Sequence, residues 1–159
     1  MPETTPIPPS AVQVVQIMVE ATPYAHALGF KVVDVGPARV TMKTPYREDI
    51  IGDPETGVIA GGVITALLDH VCGAAVMAAL VERQSIATLD LRIDYMRGAE
   101  PGRDILAAAH CYKVTRSVAF VRAVAYEDSP DDPVANATAA FMIAANGDRK
   151  MGANLKPPR

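Results

Sequence analysis

The fold is decided by residues 53–81, which read DPETGVIAGGVITALLDHVCGAAVMAALV. A loop marked by Pro and Gly leads into a long apolar run that opens at Gly61 and Gly62. This length and composition are typical of one long, largely buried helix. Only Asp69 and His70 interrupt the run with side chains expected to carry charge. A carboxylate is rarely placed in such surroundings without a partner or a function, so Asp69 is the first candidate functional residue.

One face of the predicted helix consists mainly of small residues. The i, i+3, i+4 spacing places on that face Gly62, Thr65, Ala66, Asp69, Cys72, Gly73 and Val76. A ligand or a second helix can therefore approach the backbone closely around Asp69. His70 lies about 100° around the helix from Asp69 and is predicted to be a core or interface histidine. Cys72 shares the face of Asp69, but without a neighbouring base it is predicted to be a buried small residue.

Composition excludes several classes of protein. The 159 residues suit one domain, half of them are apolar, and the net charge of −3 includes no block of like charges. This argues against a dedicated nucleic-acid or membrane-surface protein. The two cysteines indicate reduced thiols and a cytoplasmic location, and the first ten residues lack signal-peptide features. The central helix could cross a bilayer by length, but its Asp-His pair at mid-span argues against it.

The chain order predicts an α+β architecture. Before the central helix we expect a helix at 11–20, a helical turn at 22–28, a strand hairpin at 30–35 and 38–44, and a loop at 46–59. After it we expect four antiparallel strands, at 88–96, 104–114, 118–127 and 134–144. A sheet of this size is expected to wrap around the single long helix. The predicted divisions are a leader with a short helix (1–22), one domain (23–145) and a frayed tail (146–159).

Residues 57–62, which read GVIAGG, and Asp69 resemble the hotdog-fold acyl-CoA thioesterases. The resemblance is to the branch that includes the phenylacetyl-CoA pathway enzymes and thioesterase superfamily member 2. That branch has an Asn-containing loop, then Gly-x-x-His-Gly-Gly, then Asp nine positions after the His. Residues 88–99, TLDLRIDYMRGA, resemble its strand that ends in Tyr-x-x-Pro-Ala. The likeness spans residues 23–144 and implies an antiparallel sheet wrapped around one helix.

The resemblance also implies a set of site residues. Asp69 would act as general base or nucleophile, and both roles remain open. The amides of Gly61 and Gly62 would stabilise an oxyanion, since helix N-termini offer free N–H groups. Thr88 matches a Ser or Thr that orients the water or the carboxylate. As a β-branched residue it also suits a strand without any role in the reaction, and this alternative stays open. A substrate-binding set is expected to comprise Asp53, Gly57, Ala60, Arg97, Arg116 and Ser117, with the arginines either holding CoA phosphates or forming solvated surface.

Two positions depart from the family pattern. Ala60 replaces the His and offers no side-chain donor, and Asp53 replaces the loop Asn and, when ionised, only accepts hydrogen bonds. Gly61 and Asp69 are eight residues apart, about 12 Å along one helix, so one thioester cannot contact both. Two antiparallel helices from two subunits would bring the groups together. A dimer or a dimer of dimers is therefore expected.

The predicted function is hydrolysis of an acyl-CoA thioester, with no metal and no cofactor beyond the CoA of the substrate. Because of the departures at Ala60 and Asp53, an alternative function stays open, in which the protein binds acyl-CoA without catalysis. A third candidate function is that of a hotdog dehydratase, which would need a histidine in the cleft, either His26, His70 or His110. The acyl group is left open.

Overall fold

The computed structural model describes residues 9–145, with side chains for 13–145. The predicted tail and residues 1–8 of the predicted leader lie outside these residues. The helices are α1 (Pro9–Glu20), α2 (Pro23–Ala27) and α3 (Gly61–Ala79), with a 3-10 turn at Glu48–Ile50. The strands are β1 (Lys31–Gly36), β2 (Arg39–Thr44), β3 (Ile51–Asp53), β4 (Val58–Ile59), β5 (Ile86–Tyr95), β6 (Ile105–Val114), β7 (Val118–Tyr126) and β8 (Ala135–Ile143).

Six strands form one antiparallel sheet in the order β1-β2-β6-β7-β8-β5. Alternate residues of the central strands face α3, and many of them are alanines that are almost completely buried. Small side chains let the helix lie close to the sheet. The helix buries Leu67, Leu68 and Val71 completely in this contact. The α+β class and the single central helix are therefore confirmed.

The predicted loop at 46–59 is wrong in part, because it contains the 3-10 turn and a small hairpin of β3 and β4. Two glycines allow the hairpin to form. A Cβ atom at Gly52 would lie 2.7 Å from the Cα atom of Ala60, so only glycine fits there. Gly57 has a φ of +74°, which favours glycine. The hairpin leads directly into the first turn of α3.

Strand β5 contains a bulge and lies at one edge of the sheet. Thr88 pairs with Phe141 and Asp90 pairs with Ala140, so Leu89 is an extra residue. Strict alternation would place Thr88 and Tyr95 on opposite faces, because they are seven positions apart. The bulge corrects this difference, and both side chains reach α3.

Both cysteines are free and buried, as predicted. Burial, followed by the nearby Asp69 and Cys111, raises the pKa of Cys72 to about 12, so its thiol stays protonated at neutral pH. Helix α3 is long and apolar enough to cross a membrane, but 61% of the apolar window is buried inside the domain. The core helix of a folded domain has the same two properties.

Candidate active site

Asp69 and Thr88 form a carboxylate–hydroxyl pair between the middle of α3 and the bulge of β5. The Thr88 hydroxyl donates to Oδ1 of Asp69 at 2.9 Å. Asp69 is half-buried and Thr88 is exposed. Within residues 13–145 no hydrogen bond reaches Oδ2, the second carboxylate oxygen of Asp69. One oxygen is thus fixed by the strand, and the other can accept a proton or approach an electrophilic carbon.

The N-terminus of α3 presents backbone N–H groups to open space. The first N–H groups of a helix have no intrahelical acceptor, and these belong here to Gly61 and Gly62, which are both exposed. A Cβ atom at Gly62 would meet nothing within 4 Å, so packing inside the protomer does not explain this glycine. Ala60 is the N-cap residue, and its side chain makes no capping hydrogen bond. Any stabilisation of an anion at this end therefore comes from the backbone.

Tyr95 fixes this first turn to the end of β5, a role that the sequence analysis missed. Its hydroxyl donates to the Gly61 carbonyl at 2.8 Å and lies 2.8 Å from the Thr65 hydroxyl. The Thr65 hydroxyl also lies 3.1 Å from the Gly61 carbonyl. The feature of the sequence that could have revealed this contact is a tyrosine on the helix-facing side of an edge strand, because a phenol oxygen in that position needs a polar partner.

Asp53 is occupied within its own loop. Its carboxylate accepts hydrogen bonds from the Thr56 hydroxyl at 2.7 Å and from the Glu55 amide at 3.0 Å. These two bonds, that from Thr56 first, lower the pKa of Asp53, so it is ionised at neutral pH. Gly57 donates its amide to the Asp53 carbonyl, and the Tyr46 hydroxyl donates to the Gly57 carbonyl at 2.7 Å. The loop before α3 is therefore held by its own polar groups.

Arg97 lies in a structural ion-pair network. Its guanidinium pairs with the buried carboxylate of Glu127 and with Asp132 at 3.3 Å. The hydrogen bond to Glu127 is the main cause that raises the pKa of Arg97. The Glu100 amide also donates to Glu127, at 2.8 Å. Arg97 thus connects the turn after β5 to the turn after β7.

Arg116 and Ser117 are exposed in the turn between β6 and β7, at the other end of the sheet from Gly61. The Ser117 carbonyl accepts from the Ile143 amide, whereas Tyr95, beside Gly61, is paired with Ala135. Ala135 and Ile143 are eight positions apart on β8, about 26 Å at 3.3 Å per residue. Within one protomer the structure therefore does not bring this turn to the helix N-terminus.

The three histidines do not join the Asp69 pair. His70 Nδ1 lies 3.1 Å from the Ala66 carbonyl, and because a carbonyl only accepts, this nitrogen carries the proton. The His70 ring packs edge-on against Phe30 at 5.5 Å, as expected for a core histidine. His26 is exposed on α2, and His110 lies on the face of the sheet opposite α3. Among the described residues, no three His, Cys, Asp or Glu side chains cluster closely enough to hold a metal ion.

The two halves of the site lie apart along α3 in one protomer. Tyr95 marks the position of Gly61, and Thr88 marks that of Asp69, so β5 runs antiparallel to the helix. The separation along the helix is about 12 Å, which is too far for one thioester to contact both groups.

Comparison with known proteins decides the family. A model of the thioesterase superfamily matches residues 56–134, from the turn before β4 to the residue before β8. The chain belongs to the thioesterase superfamily. The expected hotdog fold and the expected class of enzyme, a thioester hydrolase, are thereby confirmed.

Several relatives of this thioesterase superfamily protein are known. A protein of solved structure from Pseudomonas aeruginosa is 40% identical, with a TM-score of 0.76 over 83% of this chain and 98% of its own. A mutant of the phenylacetic acid degradation protein PaaI from Thermus thermophilus is 27% identical, with a TM-score of 0.66 over 76% and 97% of the two chains. Human acyl-coenzyme A thioesterase 13 is 27% identical over 110 residues, which is 68% of this chain and 76% of the human protein.

Proposed function

We propose that this protein hydrolyses an acyl-CoA thioester at a site shared between two subunits. The observation that carries the proposal is the separation of about 12 Å between the free amides of Gly61 and Gly62 and the carboxylate of Asp69. A second copy with its α3 antiparallel would place its helix N-terminus beside Asp69. The name of the human relative, an acyl-coenzyme A thioesterase, supports the substrate class.

The edge strand supports a second copy as the partner. Among the described residues, strand β5 has a neighbouring strand on one side only, and an unpaired edge is a template for another chain. On this strand Leu89 is 56% exposed and Tyr95 is 49% exposed, although both are large apolar or aromatic residues. A second protomer would cover them together with the accessible N-terminal half of the small-residue face of α3, from Gly62 to Asp69, because Cys72 and Val76 are buried within the protomer. We propose a homodimer, alone or within a tetramer, in the cytoplasm, where free thiols are stable.

The chemistry follows from the two halves. The partner's helix N-terminus would receive the negative charge that develops on the thioester oxygen, helped by the helix dipole. Asp69 Oδ2 would either attack the thioester carbon or remove a proton from an attacking water, while Thr88 holds Oδ1. In both routes a C–O bond forms, the C–S bond breaks and CoA leaves as the thiolate, which then takes up a proton. In the nucleophilic route, water then hydrolyses the anhydride between the acyl group and Asp69, which releases the acid and restores the carboxylate. The products are a carboxylic acid and free CoA.

Ala60 limits the rate in this scheme. Without a side-chain donor beside the amides, polarisation of the carbonyl depends on the backbone alone, and one missing donor typically lowers kcat about 100- to 1,000-fold. The same departure, with Asp53 turned onto its own loop, favours the second candidate function, binding of acyl-CoA without turnover. Release of free thiol from a panel of acyl-CoA thioesters distinguishes hydrolysis from binding.

Hybrid dimers test the shared site. Asp69→Asn removes the anion and keeps the size. Gly62→Val adds bulk at the helix N-terminus, at a position where a Cβ atom meets nothing within 4 Å. Each variant alone is expected to be nearly inactive. When the two chains are coexpressed with different tags and the hybrids are purified, each hybrid should contain one intact site and recover about half of the parent activity. Inactive hybrids, with both chains folded, would show that each site lies within one subunit.

A further inference from the structure

A depression of about 400 Å³ lies on the face of the sheet opposite α3. Strands β2, β6, β7 and β8 form its floor. The polar and charged side chains that line it are Asp34, Arg39, Thr41, His110, Arg122 and Asn136. The sheet separates it from Asp69 and from the N-terminus of α3. The proposed hydrolytic site therefore does not use it.

Two arginines flank a histidine in one cross-strand row of this depression. Arg39 pairs with His110 in the ladder of β2 and β6, and His110 pairs with Arg122 in the ladder of β6 and β7. Two strand spacings separate the Cα atoms of the arginines, about 10 Å. Burial, followed by the charges of Arg39 and Arg122, lowers the pKa of His110, so the ring is neutral at pH 7. Concentrating cations in this way is unfavourable unless an anion lies between them.

Two other cations on the same face have carboxylate partners, whereas these two arginines do not. Arg92 lies further along the same row and pairs with Asp94 at 3.1 Å, and Lys43 pairs with Asp104 at 3.6 Å. Within residues 13–145 no ion pair reaches Arg39 or Arg122. Asp34 also lines the depression but forms no ion pair with either of them. The two guanidinium groups thus retain their capacity to bind an anion.

The surroundings hold Arg122 in place and supply neutral donors. The guanidinium carbon of Arg122 lies 4.4 Å from the centre of the Tyr112 ring, a cation–π contact that leaves the N–H edges of the arginine free. The amide of Asn136 and the hydroxyl of Thr41 line the same depression. Paired arginine forks with neutral donors match the oxygens of a phosphate group.

We propose that this depression binds a small phosphate-bearing molecule between Arg39 and Arg122. The spacing of the two arginines suits a ligand with two linked phosphates, which both guanidinium groups can contact. Inorganic pyrophosphate and a nucleoside diphosphate present the same phosphate chemistry. The nucleoside diphosphate also carries a nucleoside, which would lie over the rim of the depression. Binding at this face is independent of the thioester site.

Isothermal titration calorimetry at constant ionic strength tests the proposal, with pyrophosphate and ADP as separate ligands. The double variant Arg39→Gln/Arg122→Gln should lose at least tenfold in affinity, and Arg92→Gln, a matched control in the same row, should bind like the parent. Because the double change removes like-charge repulsion, its thermal midpoint without ligand should equal or exceed that of the parent. Tighter binding of ADP would identify a nucleotide, and equal binding would identify the diphosphate alone.

Two results would overturn the proposal. One is the absence of saturable binding of either ligand at millimolar concentration. The other is equal loss of affinity in Arg92→Gln and in the double variant, which would show attraction to general surface charge. Sedimentation of the double variant is measured in parallel. If the ligands do not bind and the double variant changes its oligomeric state, the row faces another protomer and the anion site is wrong.

Discussion

Substituting Thr88 by Val tests the link between the bulge of β5 and the carboxylate on α3. Valine keeps the β-branched shape and removes only the hydroxyl that donates to Asp69 at 2.9 Å. A hydrogen bond to a charged group contributes about 1.5–3 kcal/mol. Thr88 is exposed, so water replaces part of this bond and the lower value applies. A loss of about 1.5 kcal/mol in transition-state stabilisation is roughly a tenfold decrease in kcat.

The assay follows release of free CoA with a thiol reagent, over a range of substrate concentrations, so that kcat and KM are separated. Thr88→Ser is the matched control, because it keeps the hydroxyl and should stay within about threefold of the parent, under about 1 kcal/mol. If Thr88→Val and Thr88→Ser lose the same activity, the loss cannot be assigned to the hydroxyl, because serine keeps it. A kcat for Thr88→Val within about twofold of the parent would refute an orienting role for the hydroxyl.

Two further changes probe the supports of the site. Tyr95→Phe removes the hydroxyl that donates to the Gly61 carbonyl. It should lower kcat a few-fold in the same assay and speed hydrogen exchange in the first turn of α3. If neither kcat nor hydrogen exchange changes, the Tyr95 hydroxyl does not stabilise the helix N-terminus. Glu127→Gln should lower the free energy of unfolding at pH 7 by about 1–3 kcal/mol, measured by urea titration, while the exposed Asp132→Asn should change it little. Burial raises the pKa of Glu127, but hydrogen bonds from Arg97 and a backbone amide outweigh burial and lower the pKa below 4.5. The stabilisation by ionised Glu127 is therefore present above pH 4.5 and is lost as the pH falls through the folded-state pKa. The difference in unfolding free energy between the parent and Glu127→Gln should shrink in that pH range.

The long elements could be predicted from the sequence because their periodicity is strong. Nineteen residues form α3, whose apolar composition identified it, and the strands after it alternate clearly. The hairpin of β3 and β4 was not predictable in this way. Its strands have three and two residues, which is too short for a period to show, and two glycines decide its geometry.

The candidate site was predictable only where it depends on local spacing. The distance between Gly61 and Asp69 follows from helix geometry alone. The contact of Thr88 with Asp69 depends on a bulge, which reverses the face that simple alternation assigns to Thr88. Tyr95 reaches Gly61 across 34 positions, and Arg97 reaches Glu127 across 30, so both contacts come from the tertiary fold. An arginine in a turn has the same sequence pattern whether it binds a ligand or a buried carboxylate.

At Gly62, a substitution that stabilises the helix is expected to lower the activity. Replacing a helical glycine by alanine stabilises a helix by up to about 1 kcal/mol, and a Cβ atom here meets no other residue of the protomer. A thermostability screen on the folded chain would therefore select Gly62→Ala as an improvement. The same methyl group would stand over the backbone amides that the proposed reaction uses. Directed evolution of this protein for heat resistance should thus be coupled to a turnover assay from its first round, since selection for stability alone favours closing the end of the helix that the proposed reaction uses.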